Sequence, residues 1–341
     1  MFYSIIVASY NRKNEIAELV QSCENLQFPA DSFELIIVDD GSTDDTCQFL
    51  DSYLPTAKFN IRYVKQKNQG PGAARNFGMK NAQGQFFIFI DSDCTVPANW
   101  LSEIDKALKS TQADAFGGPD SFRPDFPPLL KAINYTMTSF LTTGGLRGKK
   151  GKKLARFYPR SFNMGLSRQL AEKIGGFGSL RHGQDIEFSH RILKSRAQVA
   201  FIDHAPVFHK RRTNIRRFYR QVYNWGVARI NLYKIDKEML EPLHALPAIV
   251  TILTVVIICL AAFFSLFYYI LISGIVFGVL ISVYSMLDSI RLYKELRPAS
   301  LIPIILPAQI YGYGLGFITN FIRRVIFSRS EKIGFKKNYY K

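Results

Sequence analysis

Between Leu246 and Leu287 the chain carries no charged residue, and its polar side chains there are Thr, Ser and Tyr. About 20 apolar residues cross the hydrocarbon core of a bilayer as a helix, so this stretch holds about two passes. Residues before about 240 read instead as ordinary charged globular sequence. The start of the chain lacks the basic, then apolar, then small-residue pattern of a secretory signal, and Met1 runs directly into a strand-like segment. The globular part is therefore expected on the cytoplasmic side of a bacterial-type inner membrane.

Charge agrees with a membrane. Lys and Arg outnumber Asp and Glu by 44 to 27, a formal +17, with many of the cations between Arg147 and Arg220 or after Arg323. Such a balance suits nucleic acid or an anionic lipid surface. Basic residues flanking a span are the usual cytoplasmic retention signal, and nucleic-acid binding would explain the charge but not the spans, so membrane lipids are the expected partner and nucleic acid is not. Cys23, Cys47, Cys94 and Cys259 show no CxxC spacing, which predicts thiols in a reducing compartment rather than a disulfide framework or a zinc site.

The first hundred residues alternate in period. Phe2–Ala8 and Phe33–Val38 are short β-branched runs, as expected of parallel strands covered on both faces. Ile16, Leu19, Val20 and Cys23 between them repeat at helical spacing. A helix is expected from the N-cap candidate Ser42 to Leu50, a strand at Asn60–Val64, a helix at Ala73–Asn81 and a buried strand at Gln85–Asp91. The alternation predicts a doubly wound α/β domain with its ligand site beyond the carboxyl ends of the strands. Ser9-Tyr10-Asn11, Asp39-Asp40 and Asp91-Ser92-Asp93 each follow a strand directly, so all three are expected to converge on one crevice.

The rest divides by composition. Residues 1–212 read as the globular domain, with a basic glycine-rich loop at Arg147–Lys153. Residues 213–240 read as a basic aromatic interfacial helix and 241–290 as a transmembrane hairpin. Residues 298–322 form a third apolar segment containing Pro303 and Pro307, and 323–341 a basic cytoplasmic tail. A third full pass would carry that tail outside, so a re-entrant or interfacial path is favoured over a spanning one.

Two carboxylates one residue apart after a buried strand, Asp91 and Asp93, suit a hard divalent cation that bridges to a diphosphate; the same pair also suits the cap of the following turn. Context adds to the first alternative. Ser9-Tyr10-Asn11-Arg12, Val38-Asp39-Asp40-Gly41-Ser42-Thr43, the run Asn68–Asn76 with Gly70, Gly72 and Arg75, and Asp91-Ser92-Asp93 follow one another in this order. Together they resemble the nucleotide-sugar-binding half of the family 2 glycosyltransferases, which have the GT-A fold. The likeness is strong over residues 1 to about 100 and looser to about 230.

The resemblance implies a nucleotide-diphosphate sugar donor, of UDP type, with Mg or Mn. Ala8, Ser9, Tyr10, Asn11, Asp39, Asp40, Arg75, Asp91 and Ser92 would line the nucleotide sugar: the Tyr10 ring stacks on the base, Asp40 accepts from its ring nitrogen, and Arg75 faces phosphate at a helix start. Asp93, with Asp91, would hold the metal. Gly183-Gln184-Asp185 resembles the family's acceptor motif, in which a Glu-Asp pair is commoner; Asp185 is then the base of an inverting transfer, or simply a helix cap. His209, with Lys210, Arg211 and Arg212 behind it, is a candidate for metal or diphosphate as well as for a structural role. Gln221-Val222-Tyr223-Asn224-Trp225 looks like a degraded QxxRW motif of processive synthases, so Gln184, Arg211, Gln221 and Trp225 are candidates for the acceptor or diphosphate. The pattern agrees with non-processive, ExoA-like exopolysaccharide enzymes that extend a lipid-linked saccharide. Polyprenyl phosphate as acceptor, processive synthesis, and a non-catalytic scaffold that kept the fold are the alternatives.

Overall fold

A computed structural model of the chain describes residues 1–143, 157–210 and 214–330. Its first compact unit comprises residues 1–121 and 157–210. Four parallel strands begin it: β1 (Tyr3–Ser9), β2 (Phe33–Asp39), β3 (Asn60–Lys65) and β4 (Phe86–Asp91). They are joined by helices α1 (Lys13–Glu24), α2 (Thr46–Tyr53) and α3 (Pro71–Asn81). Later come the short β5 (Cys94–Thr95), α4 (Trp100–Thr111), β6 (Ala115–Gly117) and β7 (Asp120–Ser121). Outside this unit, α5 (Pro128–Thr138) and α6 (Phe140–Thr143) follow in sequence; β8 (Met164–Ser167), α7 (Arg168–Ile174), α8 (Gln184–Lys194), β9 (Val199–Phe201) and β10 (Val207–His209) complete it.

The main sheet runs β3-β2-β1-β4-β8-β6-β9, and β5-β10-β7 form a second, small sheet. Alternate residues of the central strands face opposite layers, as the period of a strand dictates. Ile5, Val7, Leu35, Ile37, Ile88 and Ile90 pack with α1 and α4. Ile6, Ile36, Val38, Phe87 and Phe89 pack with α3, α7 and α8. Both faces are thus covered, as the near-continuous apolar runs predict. The sheet is not parallel throughout: β8 runs antiparallel to β4 and to β6.

Helix α2 starts at Thr46, four residues after Ser42. Ser42 is held in the preceding loop, donating its amide to Asp39 Oδ1 at 2.7 Å and accepting from the Asn11 amide at 2.9 Å. Asp44 takes over the cap, accepting from the Thr46 amide and hydroxyl. At the opposite end of the strands lies a closed polar cluster. The wholly buried Glu34 accepts from Ser4 Oγ and the Gln83 amide, both at 2.6 Å, and from Arg62.

The second compact unit is helical and includes, among the described residues, 122–143 and 214–330. Helix α9 (Ile215–Ile235) leads to α10 (Pro242–Ala261), α11 (Ser265–Tyr293) and α12 (Leu296–Phe321), and α12 ends in a widened turn at Ile322–Ile326. A Cβ on Gly226 of α9 would come within 2.1 Å of the Tyr313 carbonyl, and one on Gly316 within 2.0 Å of the Tyr223 carbonyl, so α9 and α12 cross backbone to backbone. Three of these helices, Pro242–Ala261, Ser265–Tyr293 and Leu296–Ile326, are long and apolar enough to cross a membrane.

The third apolar segment is one continuous helix through Pro303 and Pro307. Neighbouring helices offset the missing amides: α12 buries Ile302, Ile305, Leu306 and Phe317. The boundary at 212 misses an excursion, because α5 belongs to the helical unit. Lys131 pairs with Glu295 at 2.6 Å, Asn134 donates to Tyr293 Oη at 2.9 Å, and Tyr135 donates to Asp288 at 2.8 Å. The basic loop at 147–153, and the tail beyond residue 330, lie outside the described residues.

Candidate active site

Strand register brings the three polar clusters level. Ser9 pairs with Asp39 across β1 and β2, and Ala8 with Asp91 across β1 and β4. The loops that leave these strands brace one another. Asn11 adopts a left-handed φ of 51°, and its Oδ1 accepts from the Thr43 amide at 2.7 Å, so the β1 and β2 loops are tied together. Tyr10 stands half-buried beside them.

Asp39 accepts from Tyr63 Oη at 2.6 Å, and burial together with that carboxylate pushes the phenol pKa up. Asp40 is fully buried and accepts from Gln66 Nε2 (2.7 Å) and from the amides of Gln69 (2.8 Å) and Gly70 (2.7 Å). Burial raises its carboxyl pKa, with those three bonds opposing. Asp40 therefore shapes the glycine turn that opens α3, where Gly70 needs its φ of +92°.

Past that turn the helix starts Pro71-Gly72-Ala73-Ala74-Arg75. Arg75 is buried and donates to Asp91 Oδ1 at 2.7 Å, with its guanidinium 5.4 Å from the centre of the Phe177 ring. Ser161 Oγ also reaches Asp91 Oδ1, at 3.3 Å. The preceding residue, Arg160, lies 3.3 Å from Asp185 Oδ2. Two consecutive residues thus link the carboxylate at the end of β4 to the carboxylate at the start of α8. Asp185 is part-exposed there, in the first turn of α8, where the helix dipole favours an anion.

Gln184 is buried and donates Nε2 to the Gly178 carbonyl at 2.9 Å. Any Cβ on Gly72 would lie 2.5 Å from that nitrogen. A neutral amide suits this position because it both fits and donates; a glutamate would set its charge against a carbonyl with little water to solvate it.

The small sheet assembles a second cluster. His209 pairs with Cys94 in β10 and β5, and the Lys210 amide donates to the Asp93 carbonyl at 2.9 Å. His209 Nε2 lies 3.2 Å from Asp93 Oδ1, while Nδ1 lies 3.9 Å from Oδ2 of the buried Asp120. Asp93, Cys94 and His209 approach closely enough to share an ion. An oxygen and a nitrogen from Asp93 and His209 fit a divalent cation of the Mg or Mn kind. Cys94 fits poorly: its side chain is fully buried in the core, and burial, then the charges of Asp93, Asp91 and Asp120, push its thiol pKa well up.

The sheet unit therefore brings together Ala8, Ser9, Asp39, Asp40, Asp91, Ser92 and Asp93 at one edge, with Arg75, Gln184 and Asp185 tied in through side chains and His209 through β10. Arg211 lies outside the described residues. Gln221 and Trp225 sit half-buried on α9 of the helical unit, Trp225 against the cluster of Ile133, Phe218 and Val222. Arg160, Ser161 and Asp120 were not legible as site residues: the region from 115 to 212 carries no readable period, and only the turn residues Gly117-Gly118-Pro119 ahead of Asp120 mark a place where the chain bends.

Residues 4–175, a little over half of the chain, match the family model described as Glycosyl transferase family 2. The chain belongs to glycosyl transferase family 2. Its family 2 region is similar to TarS of Staphylococcus aureus, described as a poly(ribitol-phosphate) β-N-acetylglucosaminyltransferase, with 39% identity over 93 residues. Those residues are 27% of this chain, and the match spans only 16% of the length of TarS. A longer match is to the glycosyltransferase AglE of Haloferax volcanii, 24% identical over 247 residues, covering 72% of this chain and 78% of AglE. Among solved structures, the mannosyltransferase PcManGT of Pyrobaculum calidifontis, determined with GDP-Man and Mn2+, superposes with a TM-score of 0.63 at 19% identity, covering 93% of this chain and 86% of that one. That likeness establishes the GT-A fold for the family 2 chain.

Proposed function

We propose that this family 2 chain transfers one sugar, with inversion, from a nucleotide-diphosphate donor of UDP type to a lipid-linked or polysaccharide-precursor acceptor at the cytoplasmic face of the membrane. The observation that carries the proposal is the tie through Arg160 and Ser161, which holds one carboxylate suited to the donor end, Asp91, and one suited to the acceptor end, Asp185.

Each residue then has a physical task. Ala8, Ser9, Tyr10, Asn11, Asp39 and Ser92 surround the nucleoside on loops that Asn11 and Ser42 brace, with Asp40 fixing the adjoining turn. Arg75, on Asp91, presents a cation and the first turn of α3 to phosphate. Asp93 and His209, with Asp91 beside them, would hold a divalent ion, which when bound offsets charge on the departing diphosphate. An imidazole next to a carboxylate favours Mn over Mg, whose preference is for oxygen and water. Asp185 takes the proton from the acceptor hydroxyl as that oxygen attacks the anomeric carbon from the side opposite the diphosphate. Arg160 keeps the Asp185 carboxylate turned for that step. Gln184, Arg211, Gln221 and Trp225 stand as candidates for the acceptor or the diphosphate on the strength of the sequence, and the helices 242–326 hold the chain in the bilayer among membrane lipids, where confinement raises the acceptor's effective concentration.

The test is turnover of UDP-, GDP- and TDP-sugars by lipid-reconstituted protein with a lipid-linked acceptor, with Mn, Mg or EDTA. Metal-dependent transfer from one donor is expected. Transfer that persists in EDTA would remove the metal from the account, and silence across the panel would remove the activity.

A further inference from the structure

We infer that Asp120 is a positioning residue: it holds the His209 ring so that Nε2 faces Asp93, and so tightens the divalent-cation site. The inference rests on the metal role proposed for Asp93 and His209 and adds a residue that no sequence motif marks.

Three observations converge on it. First, the Asp120 side chain has 0% exposure, and a carboxylate out of water needs a cation or donor facing it. The His209 imidazole is one such neighbour, with Nδ1 3.9 Å from Asp120 Oδ2 and the other nitrogen 3.2 Å from Asp93 Oδ1. A ring placed between two carboxylates has its orientation biased by the one it does not share with the ion.

Second, the backbone under Asp120 is fixed independently of any ion. Val207 pairs with Asp120 across β10 and β7. Asn163, with 0% exposure, donates Nδ2 to the carbonyls of Ala205 (2.8 Å) and Pro119 (3.2 Å), and its own carbonyl accepts from the Gly118 amide at 2.9 Å. The residue before Asp120 and the segment leading into β10 are thus clamped to one side chain. A Cβ on Gly118 would come within 2.2 Å of Asn163 Nδ2, so the chain passes too close for any residue but glycine.

Third, the carboxylates of this corner lie close together. Asp91, Asp93 and Asp120 all act electrostatically on the Cys94 thiol, so the three carboxylates share one neighbourhood. Arg75 pairs with Asp91. Asp120 contributes to holding the ion through His209 rather than by binding it.

Positioning through His209 predicts a particular coupling. The experiment is Mn2+ titration of the full-length protein in lipid nanodiscs, read by electron paramagnetic resonance of free Mn2+, with UDP present in one series and GDP in another. Wild type, Asp120→Ala, Asp120→Asn, His209→Ala and the double variant Asp120→Ala/His209→Ala are compared, with melting curves confirming that each is folded. Asp120→Ala is expected to weaken Mn2+ by about 10–100-fold, Asp120→Asn by less, and the double variant no more than His209→Ala alone. Weakening in the double variant equal to the product of the two single effects, or Mn2+ affinity unchanged in Asp120→Asn and Asp120→Ala, would overturn the inference while leaving the metal site standing. If Asp120→Ala fails to fold, Asp120→Asn paired with His209→Ala supplies the same cycle. No Mn2+ bound by the wild type with either nucleotide would overturn the metal assignment itself, and this inference with it.

Discussion

The two ends of the parallel strands use the same residue types to opposite effect. At the amino ends Glu34 has 0% exposure, and its oxygens are met at 2.6 Å by Ser4 and the Gln83 amide, with Arg62 at 3.4 Å. At the carboxyl end Asp93 and Asp185 keep 18% and 24% exposure, and face His209 and Arg160 at 3.2 and 3.3 Å. A satisfied buried network closes a structure, whereas a part-exposed carboxylate beside an imidazole or a guanidinium is the kind of group that carries chemistry. Folding and chemistry are thus assigned to different ends of one sheet, and that separation can be attacked from either side.

The largest effect is expected at the open end. Asp185→Asn removes the only group assigned to take the acceptor proton, so transfer should fall about 10²–10⁴-fold while donor binding, measured by calorimetry, stays unchanged. Retained transfer would move the base elsewhere and break the separation. At the closed end, Glu34→Ala leaves the Ser4 hydroxyl and the Gln83 amide without their acceptor; the sheet unit should lose about 2–3 kcal/mol, seen in denaturant titration, with the donor affinity of the folded protein unaltered. Arg160→Ala sharpens the contrast, because Arg160 orients rather than reacts: a fall of about tenfold in kcat is expected, with KM for the donor unchanged.

The smallest effect concerns pH. Burial alone would raise the Asp44 carboxyl pKa, but bonds from Thr46 and the Lys13 amide outweigh it and hold the group below the usual carboxylate range. A carboxyl depressed in the folded state contributes stability above its unfolded pKa of about 4 and loses it as pH falls through the folded value. Melting curves between pH 6 and pH 3 should therefore fall slightly less steeply for Asp44→Asn than for the wild type.

Much of this was legible because it depends on local pattern. Apolar runs such as Tyr3–Ser9 and Phe33–Asp39 can be buried only as strands covered on both faces, and the acidic residues at their ends follow from where strands stop. The charge-free run after Leu246 likewise reads as helices long and apolar enough to cross a membrane. What was hidden depends on distant partners. Ser42 has the makings of a helix cap, yet Asn11 and Asp39 draw it into a loop. Pro303 and Pro307 look like breaks, but packing against α9, α10 and α11 sustains α12 through them. Helix α5 has the composition of an ordinary core helix, and only Glu295, Tyr293 and Asp288, more than 150 residues on, assign it to the helical unit. Arg160, Ser161 and Asp120 gain their meaning from strands β4, β8 and β10, which no local pattern connects.

The most direct test of the separation is Asp93→Asn, measured for transfer and for melting temperature on the same lipid-reconstituted preparation. Metal-dependent transfer is expected to be lost, with the melting temperature within about 3 °C of the wild type, an isosteric change at a part-exposed carboxylate being worth under about 1 kcal/mol. Near-normal transfer, or a loss that appears only together with unfolding, would contradict it.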